Sequence, residues 1–143
     1  MRTLLRTLAL AVALATGGTA LQAQGYTVVV NAANPAASLT KAQAADLFLK
    51  KSGKWSHGAA AAPVDQQKAS PIREAFSKGV HGRAASAVAS FWQQQIFSGK
   101  DVPPPEKGSD ADVLAFVRSN PGAIGYVSAG ADLGAGVKAI TIQ

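Results

Sequence analysis

Residues 119–128, SNPGAIGYVS, determine how the C-terminal part of this chain folds. Pro121 cannot donate a backbone hydrogen bond and biases Asn120 away from the helical region, while Gly122 tolerates a positive φ. The apolar run that follows, AIGYV, is typical of a buried strand. The stretch therefore predicts a helix, a tight turn and a strand with no linker between them.

The rest of the chain alternates in the same way between strand and helix patterns. Residues 26–31, YTVVVN, predict a buried strand, and a second strand is expected to end at Asp65. Capping residues and apolar periodicity predict four helices, which begin near Thr40 (with Ser38 as an alternative cap), Ser70, Arg83 and Ser109. The expected fold class is α/β, a single lobe with a mixed sheet flanked by helices and no internal repeat.

Large apolar residues from each element predict how this lobe is packed. The third helix is expected to bury an apolar face of Val88, Phe91, Trp92, Ile96 and Phe97. The loop residue Trp55 is expected to fold back on the core. One shared core is expected from the following residues: Val28, Val30, Phe48, Phe91, Phe116, Ile124 and Val127.

The first residues have the pattern of a secretory signal peptide. A basic segment with Arg2 and Arg6 precedes an apolar run and then small residues, and cleavage is expected after Ala20 or Ala23. We therefore divide the chain into a signal peptide, residues 1–23, and a domain, residues 24–143. The apolar run is too short for a retained span, and no cysteine offers a lipid anchor, so we expect secretion without a membrane anchor, into the periplasm if the source is Gram-negative.

The net charge and the cysteine content exclude several kinds of function for this chain. The chain has net charge +6, and removal of Arg2 and Arg6 with the signal peptide lowers it to +4, with the cations scattered along the sequence. A nucleic-acid interface would be denser in cations, whereas a mild positive field suits a small anion. The absence of cysteine excludes disulfides and thiolate chemistry.

One segment, PVDQQKASPIREAF at residues 63–76, is the candidate site. The end of a strand followed by the start of a helix is a common anion-binding position in α/β proteins, because free N–H groups point outwards there. We take Asp65, Gln66, Ser70 and Arg73 as the candidate ligand-binding residues, although a Ser that merely caps the helix is the more frequent case.

Signals for catalysis and metal binding are absent from the sequence. His57 and His81 are isolated, and Asp110 and Asp112 are better explained as acids at a helix start than as a carboxylate pair. There is no G-x-S-x-G motif. We therefore expect no enzyme activity, no catalytic residue, no metal and no cofactor.

Three segments together resemble the phosphate-binding components of phosphate ABC importers: LTKAQAADLFLKKSGKW at 39–55, PVDQQKASPIREAF at 63–76 and NPGAIGYVS at 120–128. The resemblance spans roughly residues 27–143, and it implies one lobe of the type 2 periplasmic binding protein fold. It also implies that Gly122 and Gly125 are structural. Family members are about twice as long, and their Ser-Gly-Thr anion loop is replaced here by KAS before Pro71.

The resemblance implies an exported solute-binding module for a small oxyanion such as phosphate, bound weakly or with a partner. The partner would be an ABC transporter or another envelope protein, and neither nucleic acid nor a membrane anchor is expected. The alternative is a non-catalytic interaction or scaffold protein that keeps the fold without binding a ligand.

Export should remove residues up to Ala20 or Ala23. The intact mass of protein recovered after secretion tests this expectation. A secreted product that still contains Arg2 and Arg6 would contradict it.

Overall fold

The computed structural model describes residues 25–143, so the predicted signal peptide lies outside the described residues. Eight short strands and four α-helices alternate along this part of the chain. In chain order they are β1 (Tyr26–Asn31), β2 (Ser38–Leu39), α1 (Lys41–Phe48), β3 (Ala62–Pro63), β4 (Asp65–Gln66), α2 (Pro71–Phe76), α3 (Ala85–Phe97), β5 (Glu106–Lys107), α4 (Asp110–Ser119), β6 (Ala123–Ser128), β7 (Val137–Ala139) and β8 (Thr141–Ile142).

The central sheet has the strand order β3-β6-β1-β7 and is mixed. Strand β1 pairs antiparallel with β6 and with β7, while β3 pairs parallel with β6. Two small parallel pairs, β2 with β8 and β4 with β5, extend the structure at its periphery. The expected α/β class with a mixed sheet flanked by helices is confirmed.

The turn between α4 and β6 is as tight as the sequence predicts, and its glycines are structural. A Cβ on Gly122 would collide with the backbone oxygen of Ala60. A Cβ on Gly125 would lie 2.8 Å from methyl carbons of both Val113 and Val64. These two positions therefore exclude a larger residue because β3 and α4 pack directly on β6.

Local capping patterns are confirmed at two of the predicted helix starts. The Thr40 hydroxyl accepts from the Gln43 backbone N–H, and the Gln43 side chain accepts from the Thr40 N–H. The Ser109 hydroxyl accepts from the Asp112 N–H in the same way. Each motif needs only a few consecutive residues, which is why it is readable in the sequence.

The prediction of one shared core is wrong. Four of its residues, Val28, Val30, Phe48 and Ile124, lie on one side of the sheet with α1 and α2. Val127 lies on the other side, with Phe116 of α4 packed against it. Phe91 packs on a third, small cluster beside α3. Alternate strand residues point to opposite faces, so a sheet covered on both sides divides its apolar residues between two cores.

Helix α3 also departs from the prediction. Val88 and Trp92 are buried as expected, but Ile96 and Phe97 are 51% and 91% exposed. The predicted apolar face therefore extends beyond the part of the helix that contacts the rest of the chain. Trp55, by contrast, is buried as expected, and its indole N–H donates to the Gly122 carbonyl at 2.9 Å.

A π-helical turn, Ser77–His81, continues α2 and ends at Gly82, whose φ is +69°. The His81 ring lies edge-on against Phe48 and Phe76, and its Nδ1 is buried without a hydrogen-bond partner among the described residues. Burial lowers the pKa of His81 to about 4, and the nearby charges of Arg83, Arg73 and Lys51 act in the same direction.

Ile124→Ala should lower the free energy of unfolding by about 2–5 kcal/mol, because it removes a fully buried side chain from the packed side of β6. Ile96→Ala is the matched control, and it should change stability by less than about 0.5 kcal/mol at its half-exposed position. Urea melts of both variants measure the two values. Equal losses would show that β6 is not at the centre of the fold.

Acid should destabilise the protein through His81. The folded-state pKa of about 4 lies below the ordinary value of 6.5, so the unfolded chain takes up this proton first as the pH falls. The contribution of neutral His81 to the free energy of unfolding is complete above pH 6.5 and is lost as the pH falls towards 4. Urea melts at several pH values should therefore show a smaller acid-induced loss in His81→Phe than in wild type. His57→Phe, at an exposed loop position, controls for the loss of one histidine; an identical loss in His81→Phe and wild type would contradict the prediction.

Candidate functional site

The structure brings the four predicted site residues together at one edge of the fold. Asp65 and Gln66 form β4, which pairs with β5, and Ser70 lies directly before α2. Arg73 is in the first turn of α2, and its side chain points back to β4 because its Nη1 donates to the Gln66 carbonyl at 2.9 Å. The four side chains therefore belong to one polar cluster.

Asp65 is the buried carboxylate of this cluster. It accepts a hydrogen bond from the Tyr126 hydroxyl of β6, and its Oδ1 lies 3.8 Å from Arg73 Nε. Burial raises the pKa of Asp65, although the Arg73 charge and the Tyr126 hydrogen bond oppose this effect. Burial, together with the neighbouring Asp65 charge, raises the pKa of Tyr126 as well. Tyr126 therefore remains protonated and serves as the donor.

Arg73 is a buried cation that is balanced by two carboxylates. Only 5% of the residue is exposed, and its Nη1 lies 3.3 Å from Glu106 Oε1 in addition to the contact with Asp65. A buried arginine is stable only where such partners replace its hydration. Asp65 and Glu106 therefore neutralise much of the Arg73 charge within the fold.

Ser70 occupies the predicted cap position, but its hydroxyl does not cap α2. The hydroxyl instead donates to Gln66 Oε1 at 2.9 Å, while Gln66 Nε2 donates to Asp110 Oδ1 at 2.9 Å and to the Tyr126 carbonyl at 3.0 Å. The side-chain amide of Gln66 thus connects β4, α4 and β6. This is a structural use of residues that the sequence presents as ligand donors.

An open groove of about 410 Å³ adjoins the cluster, between the 66–70 segment and the start of α3. Its lining combines two cations, one carboxylate and several hydroxyl or amide groups with small apolar residues: Lys68, Arg73, Glu74, Ala84, Ala85, Ser86, Ala89, Ser90 and Gln93. Glu74 accepts from the Ala85 N–H at 3.1 Å and so satisfies the start of α3, where Ala84 has no capping side chain. Lys68 is exposed and can therefore approach an anion in the groove.

Three members of the cluster were missed by sequence reasoning: Tyr126, Glu106 and Asp110. A tyrosine within a buried strand is a usable signal, because a buried phenol needs a hydrogen-bond partner. Asp110 is at a helix start as predicted, but it also accepts from the Ser128 N–H at 3.2 Å. Glu106 follows a proline-rich segment, and no local pattern indicates that it reaches Arg73.

The described residues contain no cluster of three or more His, Cys, Asp or Glu side chains that could hold a metal ion. The two histidines are used differently. His81 packs among aromatic rings, and His57 stacks on Trp55 with ring centroids 6.1 Å apart.

Comparison with known proteins places this architecture in a family. A family model described as a PBP superfamily domain matches residues 19–141. None of the curated proteins gives a significant match.

Several solved structures share the fold. An ABC-type phosphate transport receptor from Vibrio cholerae superposes with a TM-score of 0.64 at 23% identity, over 82% of this chain and 46% of its own. A putative phosphate ABC transporter substrate-binding protein from Clostridium perfringens, solved with bound phosphate, gives a TM-score of 0.64 at 24% identity, over 82% of this chain and 44% of its own. PstS from Borrelia burgdorferi gives 0.65 at 12% identity, over 83% of this chain and 47% of its own.

The chain thus spans less than half the length of these solved proteins, and at such identities the likeness shows the fold. The family match itself covers most of the sequence. Together with the mixed sheet and its flanking helices, this match shows that the chain belongs to the family of PBP superfamily domains.

Proposed function

We propose that this chain is an exported solute-binding module that recognises a small oxyanion, with phosphate as the first candidate. The observation that carries the proposal is the polar groove beside the predicted 65–70 segment, which Lys68 and Arg73 line together with Glu74, Ser86 and Ser90, and in which Lys68 is the exposed cation. The solved neighbours that share the fold include a phosphate transport receptor and a putative phosphate ABC transporter substrate-binding protein, which supports the same class of ligand.

The site residues act in different ways under this proposal. Lys68 supplies an exposed charge, and the Ser86 hydroxyl supplies a donor on α3, whereas the Ser90 hydroxyl already donates to the Ser86 carbonyl at 3.2 Å. Arg73 adds positive charge at the floor, while Asp65 and Gln66 hold it in place. Ser70 lies between Lys68 and Arg73 in the chain without lining the groove, and its hydroxyl donates to Gln66.

The expected affinity is low. The groove is open to solvent, so water and salt compete with the anion and weaken the electrostatic attraction. Part of the Arg73 charge is also neutralised by Asp65 and Glu106. Tighter binding would need a second protein surface over the groove, and an ABC transporter or another envelope protein is the proposed source of that surface.

A scaffold protein that keeps the fold without binding a ligand is the second candidate. The side chains of Ser70, Gln66 and Arg73 already donate hydrogen bonds within the chain, and this favours the scaffold function. No catalytic step is assigned to the cluster in either case.

Titration with phosphate, followed by backbone NMR shifts, distinguishes the two candidates. Under the binding proposal, signals of residues 66–72 and of Ser86 and Ser90 should move selectively, and added salt should reduce the effect. Lys68→Gln should weaken binding by about 1.5- to 5-fold, as expected for one solvent-exposed charge. Lys41→Gln, an exposed lysine at the start of α1, is the matched control and should bind as wild type does.

Ser70→Asp gives the sharper test, because it places a negative charge beside the groove. Melting experiments on the same sample are needed, since the substitution also removes the hydrogen bond to Gln66. Undiminished phosphate binding by a folded Ser70→Asp protein would show that the 65–70 segment is not the site. If wild type shows no shift at millimolar phosphate, the scaffold function takes its place.

A further inference from the structure

The end of α3 carries a concentrated apolar surface that no part of the described chain covers. Within residues 25–143, the large apolar side chains that are exposed are Ile96, Phe97 and Val102, at 51%, 91% and 60%. All residues from 96 to 102 are exposed. Scattered single exposed apolar residues are ordinary, whereas their concentration in one short segment indicates a contact surface. We call residues 96–102 the α3 tip.

The backbone of the α3 tip is ordered by its own hydrogen bonds. Gly99, with a φ of +67°, reverses the chain, and its N–H donates to the Ile96 carbonyl at 3.1 Å. The Lys100 N–H donates to the Gln95 carbonyl at 3.0 Å. The N–H groups that follow Phe97 therefore have partners within the turn, so the approach of Phe97 to an apolar phase leaves fewer donors unsatisfied.

Lysines flank this apolar surface. Lys50 Nζ lies 3.7 Å from Asp101 Oδ1, which places the end of α1 beside the tip and balances the acidic residue there. Lys100 forms no ion pair within the part of the chain that the structure describes. The charge around the tip is therefore net positive.

We propose that the α3 tip docks reversibly on the surface of an anionic lipid bilayer. A projecting phenylalanine with adjacent lysines complements such a surface, since the ring enters the boundary between headgroups and acyl chains while the ammonium groups meet the negative headgroups. A stable protein interface needs about 800 Å² and 20–30 residues on each partner, far more than this seven-residue segment offers. The 91% exposure of Phe97 also shows that its ring projects from the protein surface, as insertion into a lipid bilayer requires.

This mode of attachment is distinct from a transmembrane anchor. Within residues 25–143 no helix has the length and apolarity needed to cross a bilayer. The lining of the oxyanion groove extends along α3 from Ala85 to Gln93, and the α3 tip begins after it at Ile96, so the two proposals rest on different residues and are independent.

Sedimentation with lipid vesicles tests the proposal on protein purified after export. Wild type should sediment with phosphatidylcholine vesicles that contain phosphatidylglycerol, remain in solution with phosphatidylcholine alone, and be released by salt. Phe97→Ser, which alters an almost fully exposed side chain and should therefore fold normally, should reduce the partition coefficient about tenfold or more. Lys100→Gln should reduce it about fivefold. Lys41→Gln, at the start of α1, is the matched control and should leave it unchanged.

Three results would overturn the proposal. The first is no sedimentation with the anionic vesicles, and the second is equal binding by wild type and Phe97→Ser. The third is self-association in the absence of lipid that Phe97→Ser abolishes, which would assign the α3 tip to an interface between two copies of the chain. Loss of lipid binding in Phe97→Ser with phosphate binding retained would support the proposal and confirm its independence from the groove.

Discussion

Strand β6 is buried on both faces, and its packing fixes the positions of α4, of the two main cores and of the polar cluster. On one side Gly125 lets Val64 and Val113 approach the strand, and on the other side Ile124 and Tyr126 enter the larger core. A residue with any side chain at Gly125 would push α4 away from the sheet. Because α4 begins and β6 ends beside the polar cluster, this packing also determines where Asp110 and Tyr126 stand relative to β4.

Tyr126 joins the apolar and the polar parts of the molecule. Its ring stacks on Phe76 at a centroid distance of 3.9 Å, and its hydroxyl donates to Asp65. The phenol therefore satisfies a carboxylate that would otherwise be costly to bury, and Arg73 contributes an opposite charge. The cluster is best understood as the support of the adjoining groove: it fixes Arg73 and the start of α2 in place, while Lys68 is the exposed cation of the groove.

Helix α3 has two ends with different surroundings. Its first turns border the groove, and Val88 and Trp92 attach it to Leu49 of the segment after α1. Its last turn extends beyond this small cluster, so apolar residues there face solvent. A helix that is amphipathic along its whole length but supported along only part of it is suited to contact something outside the chain.

Local features could be predicted from consecutive residues alone: the capping box at Thr40, the position of Pro71 at the start of α2, the turn at Pro121–Gly122 and the family resemblance. Each depends on a few neighbouring residues whose φ preference or hydrogen-bonding geometry is intrinsic. The sequence also indicated that Asp65, Gln66, Ser70 and Arg73 belong together, since they are close along the chain.

How those residues are used depends on contacts with distant parts of the chain. The partners that engage them, Tyr126, Glu106 and Asp110, come from distant parts of the sequence, and the hydroxyl of Ser70 turned to Gln66 instead of capping its helix. The division into separate cores and the exposure of Phe97 likewise depend on which faces of the sheet and of α3 are covered. Periodicity shows that a face is apolar, but what covers that face is set by contacts between segments far apart in the chain.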